Sequence, residues 1–128
     1  MRISKEQVPA KINVPGAVAR QIGGFGDATG LGTMGGEWFS LGAGTDIAPL
    51  LKGLKGDACQ APHWGFVLSG ELVVTYTDGK VETCKGSDLF YWPPGHSVRV
   101  AKDAEVILFS PEKEHTHVMN HMLKAMQG

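Results

Sequence analysis

The stretch from His63 to Gly79, His-Trp-Gly-Phe-Val-Leu-Ser-Gly-Glu-Leu-Val-Val-Thr-Tyr-Thr-Asp-Gly, constrains the fold of this chain more than any other. Leu72, Val74 and Tyr76 alternate with Val73 and Thr75, the two-residue period of a strand that turns one face to a core. Val67 and Leu68 lead into Ser69-Gly70, a turn signal, and Asp78-Gly79 is a second one. The stretch therefore predicts two strands joined by a tight turn, with a potential metal ligand, His63, at the head. A second block runs from Gly86 to His96: a glycine turn, the apolar run Leu89-Phe-Tyr-Trp92, and a Pro93-Pro94-Gly95 corner that ends on another imidazole.

The flanking sequence predicts more short strands. Pro15-Gly16 is a turn between Lys11–Val14 and Ala17–Ile22, read as two short edge strands, and Met34–Leu41 is a strand-like run carrying Trp38 and Phe39. With 18 glycines in 128 residues, the core must come from strands more than helices. Gly23-Gly24-Phe25-Gly26 and Gly30-Leu31-Gly32 look like phosphate loops, but no helical periodicity follows, so a nucleotide site is not expected. Gly42–Pro49 reads as a loop, and Leu50–Gly56 as a mobile apolar loop able to cover a cavity mouth. Lys80–Cys84, Leu89–Trp92, Ser97–Ala101 and Glu105–Phe109 read as short strands, with Asp103 in a connecting turn. One helix is predicted over about 111–126, with Ser110 as N-cap, Pro111 at its first position and Glu112 and Glu114 in its first turn. Its apolar stripe is Val118, Met119, Met122, Leu123 and Met126, expected to pack on the barrel or on a partner subunit.

The two blocks resemble the two consensus motifs of the cupin superfamily, small β-barrels whose first motif reads His-x-His, three or four residues, Glu, six residues, Gly. The second ends Pro-x-Gly-x-x-His. Gly70 matches the closing glycine of the first motif, Gly86 the opening glycine of the second, and Pro93-Pro94-Gly95 its Pro-x-Gly. His63 stands where the family has Glu, Cys59 and Asp57 where it has the two histidines, and Val98 where it has the last histidine. The resemblance implies an all-β, cupin-like double-stranded β-helix, or jelly-roll barrel, with an N-terminal strand extension and one C-terminal helix. Residues 1–128 form one domain in this reading, with motif 1 at about 57–77 and motif 2 at about 86–101.

The resemblance also implies that Cys59, His63 and His96 converge at one rim of the barrel. Thiolate with imidazole suits zinc or another first-row transition ion, and Asp57 is a possible fourth donor. The alternative is that His63 and His96 only hydrogen-bond nearby backbone. Two functions stay open. One is a small-molecule-binding protein of sensory or accessory role, its pocket lined by Trp64, Phe66, Val67, Tyr76, Phe90 and Trp92, with His63 and His96 anchoring a carboxylate or carbonyl. The other is a metal-dependent oxygenase, isomerase or decarboxylase using a divalent metal on Cys59, His63 and His96. A structural interaction module is the third and least favoured.

Other chemistries are excluded. With 12 basic and 13 acidic side chains, a net charge of −1 and scattered Lys and Arg, nothing marks a nucleic-acid partner. No apolar run approaches a membrane span, and Met1–Gln7 lacks the apolar core of a secretion signal, so a cytoplasmic protein is expected, with Cys59 and Cys84 unpaired. No Gly-x-Ser-x-Gly elbow surrounds Ser69 or Ser110. His117 and His121, four apart on the helix, are read as solvated. A homodimer is expected from the strand edges and the methionine-rich stripe.

Overall fold

Two long strands run side by side through the molecule: β4 (His63–Tyr76) and β7 (His96–Pro111) pair antiparallel from Trp64 opposite Phe109 to Tyr76 opposite His96. A computed structural model of the chain describes residues 1–28 and 32–128. Ahead of β4 come β1 (Ala10–Val14), β2 (Ala17–Ile22), β3 (Met34–Leu41) and the one-turn helix α1 (Ala48–Leu51); β5 (Val81–Lys85) and β6 (Leu89–Trp92) precede β7, and α2 (Glu112–Gln127) follows it. The strands form one antiparallel sheet in the order β1-β2-β3-β7-β4-β5, and β6 lies along the first half of β4. In a flat ribbon the ends of the β4/β7 pair would stand roughly 40 Å apart. Here the sheet curls until they meet. Cys59 bridges to His96, donating its N–H to the His96 carbonyl and accepting the Gly95 N–H, each at 2.8 Å. This is the all-β curled barrel with N-terminal strands and a C-terminal helix that the sequence predicts.

Ser69-Gly70 does not join two strands; it is a bulge inside one. The β4/β7 register slips between Val67 and Leu72, and Gly70 takes φ +89 where a Cβ would run into the Asp103 carbonyl. A bulge inserts residues without ending the strand and shifts which side chains face in. Before it the buried positions are His63 and Val67; after it they are Leu72 and Val74. Likewise Ser97–Ala101 and Glu105–Phe109 are parts of the single strand β7, and Asp103 lies within it opposite the bulge rather than in a turn.

Leu50–Gly56 is folded, not a loose loop. Leu51 in α1 is fully buried, and a 3-10 turn follows at Lys55–Asp57. The α2 stripe docks on its own chain, where Val118, Met119 and Met122 pack with Leu51, Ile12, Ala19 and Ala61 in a second core beside the main barrel core of Leu72, Val74, Val100, Val106 and Leu108. Burying each such aliphatic side chain contributes roughly 1.5–3 kcal/mol. Pro111, not Ser110, holds the N-cap position of α2; Ser110 is the penultimate residue of β7, with its side chain fully buried. Among the described residues no helix follows Gly23–Gly26: Phe25 N–H bonds the Met34 carbonyl at the start of β3, while Gly30 and Leu31 lie outside the described residues.

Candidate functional site

Alternation places the polar residues of four strands on the inner face at one level of the barrel. On β3, Glu37 points inward with Phe39, and its register partners Gln21 on β2 and Leu108 on β7 point the same way. His63 begins β4, His96 begins β7 and Ser110 lies next to its far end. His115, in the first turn of α2, completes the ring from above; the spacing that puts Val118, Met119 and Met122 on the buried face puts His115 there too. Glu37, His63, His96 and His115 are each 4 % exposed or less.

Each imidazole is held by its other nitrogen. His96 donates Nδ1–H to the Pro93 carbonyl at 2.7 Å, which leaves the Nε2 lone pair free. His115 Nδ1 bonds Glu37 Oε1, and Gln21 Nε2 stands 3.4 Å from the same nitrogen. The His63 ring packs against both, with centroids 5.0 Å from His96 and 4.5 Å from His115. Its Nδ1 bonds Ser110 Oγ, and its Nε2 lies 3.6 Å from Cys59 Sγ. Glu37 Oε2 is buried with no hydrogen-bond partner among the described residues.

Burial sets the protonation. It pushes His63 well below the ordinary imidazole range, helped by the neighbouring His115 and His96. It lowers His96 to about 4, against the Pro93 carbonyl, which favours the protonated ring. The Cys59 thiol is pushed up to about 11 by burial and stays protonated, with the Ala61 carbonyl 3.7 Å from its sulfur. Burial also raises Glu37, while hydrogen bonding and charge from His115 and the Ser110 hydroxyl pull it back.

Two three-donor sets meet here, Cys59–His63–His96 and Glu37–His63–His115; the ligand atoms within each set lie within 4.8 Å of one another, and His63 belongs to both. The four positions at which the cupin motifs carry metal ligands do not form a site. Asp57 turns away to accept the Gly53 N–H at 3.0 Å, and Val98 is a core residue.

Cys59, His63, His96 and His115 together line a cavity of about 290 Å³ whose other walls include Phe39, Leu72, Val100, Val106, Leu108 and Met119. Of the five aromatic residues expected to line a pocket, only Trp92 does so. Trp64 faces outward and stacks on Tyr91, and Phe66 shares its outward parity before the bulge. Tyr76 packs beside the core and donates to Glu82. Phe90 stacks on Trp92 at 3.9 Å, over Gly65, where a Cβ would collide with its ring. The expected Val67 is buried in the main core. His117 and His121 stay outside the cluster, and His121 bonds the Lys52 carbonyl.

The residues not anticipated are Glu37, His115 and Ser110. His115 was visible in the i, i+3, i+4 spacing it shares with Val118 and Met119. Glu37 carried a weaker signal, a lone acid in an otherwise uncharged strand. Ser110 was hidden by its suitability as a helix cap.

No known family pattern matches the sequence, and no curated protein resembles it closely. Solved structures do. Residues covering 85% of this chain superpose on 28% of an S161A mutant of Bacillus subtilis oxalate decarboxylase OxdC, with TM-score 0.62 and 18% identity. An RmlC-like cupin from Shewanella frigidimarina matches over 89% of this chain and 93% of its own, with TM-score 0.59 and 18% identity. The polyketide cyclase RemF from Streptomyces resistomycificus matches over 87% and 78%, with TM-score 0.56 and 16% identity. The chain thus spans less than a third of the decarboxylase. The fold is that of the cupins, shared with proteins of differing function.

Proposed function

We propose that this cupin-fold chain binds a small, largely apolar organic molecule inside the barrel, with one polar group of the ligand against His63 and His96. The observation that carries this reading is the cavity itself, largely apolar along its walls with a cluster of imidazoles among them. Its size lies near the lower end of known ligand pockets, which run from roughly 300 Å³ upward. Both imidazoles are neutral at pH 7, and no Lys or Arg lines the cavity among the described residues. A carboxylate ligand, one of the anchored groups expected from the sequence, would therefore lose its hydration without gaining a cation. The free Nε2 of His96 accepts a hydrogen bond, so a hydroxyl or enol is the better partner. Thermal shift on the EDTA-treated protein tests this: phenols and short branched alcohols should raise the melting temperature and the matching carboxylates should not. His96→Phe, which keeps the ring's bulk and removes its lone pair, should abolish the preference. If no compound stabilises the protein, or His96→Phe leaves the ranking intact, the reading is wrong.

A second reading is metal-dependent chemistry on such a molecule, as in the enzyme expected from the sequence. It is supported by the donor cluster at the cavity, which includes the expected set Cys59, His63 and His96. A divalent first-row ion there would supply Lewis acidity, and the apolar walls would hold the substrate and exclude water. Metal analysis of untagged protein separates the two readings, since bound metal is required only by the second.

A further inference from the structure

Each of the two donor sets can be weighed as a metal site. Cys59 sits on the segment entering β4 rather than on a regular element, and its thiol is already directed at the Ala61 carbonyl, 3.7 Å from the sulfur. The other set contains a buried acid, Glu37, paired through only one of its two oxygens. The Glu37 side chain is fully buried, its only ion-pair partner among the described residues is His115, and none of them stands within hydrogen-bond distance of its second oxygen. A buried carboxylate oxygen left unpaired is costly, and native structures rarely keep one without an ion, water or donor to meet it. The three donors also stand on β3, β4 and α2, elements packed into the two cores, so they are fixed by the fold.

We propose that Glu37, His63 and His115 form a divalent first-row metal site, distinct from the set that the motif strands supply through Cys59 and His96. One carboxylate with two imidazoles suits Mn(II), Fe(II) or Zn(II). An ion held by these three residues would give the unpartnered Glu37 Oε2 a cation. His63 and His115 line the cavity and Glu37 does not, so an ion on this set would lie next to the ligand space. His115 belongs to the first turn of α2, so the same ion ties α2 to the barrel.

This inference rests on the metal-dependent reading above and adds which residues hold the ion. The test titrates Mn(II), Zn(II) and Co(II) into EDTA-stripped protein, with calorimetry, metal analysis after desalting, and melting temperature as readouts. Wild type should take up one equivalent and melt higher. Glu37→Gln and His115→Gln should each weaken binding by roughly tenfold or more and lose the thermal shift, while Cys59→Ser and His96→Gln stay within about threefold of wild type. Should Glu37→Gln fail to fold, Glu37→Asp tests the same point, and the cobalt spectrum of the wild type needs no variant. With oxygen and nitrogen donors it should lack the near-ultraviolet thiolate-to-cobalt charge-transfer band. If that band is present and vanishes in Cys59→Ser, or if the ion survives Glu37→Gln and is lost in His96→Gln, the proposal is overturned and the ion belongs to the motif set. No binding of any of the three ions overturns the proposal and the metal-dependent reading together, and leaves small-molecule binding standing.

Discussion

Ser110 shows how one buried hydroxyl can hold a site together. It fixes the His63 ring through Nδ1 and lies beside Glu37, so Ser110→Ala should cost about 1–3 kcal/mol, the range for stranding a buried partner. The 15N shifts of the His63 ring should change while helix content does not; a loss of helix instead would make Ser110 a cap after all. The imidazoles make stability pH-dependent. His96, with its folded value near 4, and His63, also depressed, are neutral in the native state but take up protons on unfolding below about pH 6.5. The unfolded state then binds more protons, so stability is full above that pH and falls as the pH drops toward 4. Glu37, raised above 4.5, opposes this slope between 4.5 and its folded value, where the native state holds the extra proton. The two rings outnumber it. The metal-free protein should therefore melt progressively lower from pH 7 to pH 4, and His96→Gln should flatten the profile; an unchanged slope would mean that His96 is protonated in the native state.

At the scale of elements, the β4 bulge decides the site. Without the slip between Val67 and Leu72, a strand that buries His63 and Val67 could not also bury Leu72 and Val74, because a strict period of two would send one pair outward. Gly70 makes the slip possible through its positive φ and its contact with the β7 backbone at Asp103. Gly70→Ala should lower stability by about 2–4 kcal/mol in urea unfolding, from left-handed strain plus displacement of β7. A loss under about 1 kcal/mol would show that the bulge can relax. The alternation from Leu72 to Tyr76 was legible because it lies wholly on one side of the bulge. Trp64 and Phe66 were misplaced because a turn at Ser69-Gly70 and a bulge there share the same residues but not the same parity.

At the scale of the whole molecule, the α2 stripe is spent on the chain's own second core, which removes one of the two grounds for a homodimer. An aromatic row remains on the outer sheet face, where Tyr91, Trp64 and Phe109 are aligned across β6, β4 and β7 and are each more than 40 % exposed. Phe25 stacks on its end. We expect the homodimer to be formed through this row, with light scattering giving a dimer for wild type and a monomer for Trp64→Lys. An unchanged dimer in that variant would place the interface on the N-terminal strand edge. No helix among the described residues is long and apolar enough to cross a membrane.

The sequence by itself determined what is local: the strand period, the Pro15-Gly16 and Asp78-Gly79 turns, the extent of β3, and the helix with its stripe. Through the spacing of Gly70, Gly86 and the Pro93-Pro94-Gly95 corner, it also pointed to the curled barrel. Only the tertiary structure decided the composition of the polar cluster, because Glu37, His63 and His115 stand far apart in the chain and meet through β3–β7 pairing, sheet closure at Cys59–His96 and the docking of α2. Those are long-range contacts, set by how whole faces pack, and no local residue pattern encodes which side chain will be left at their intersection.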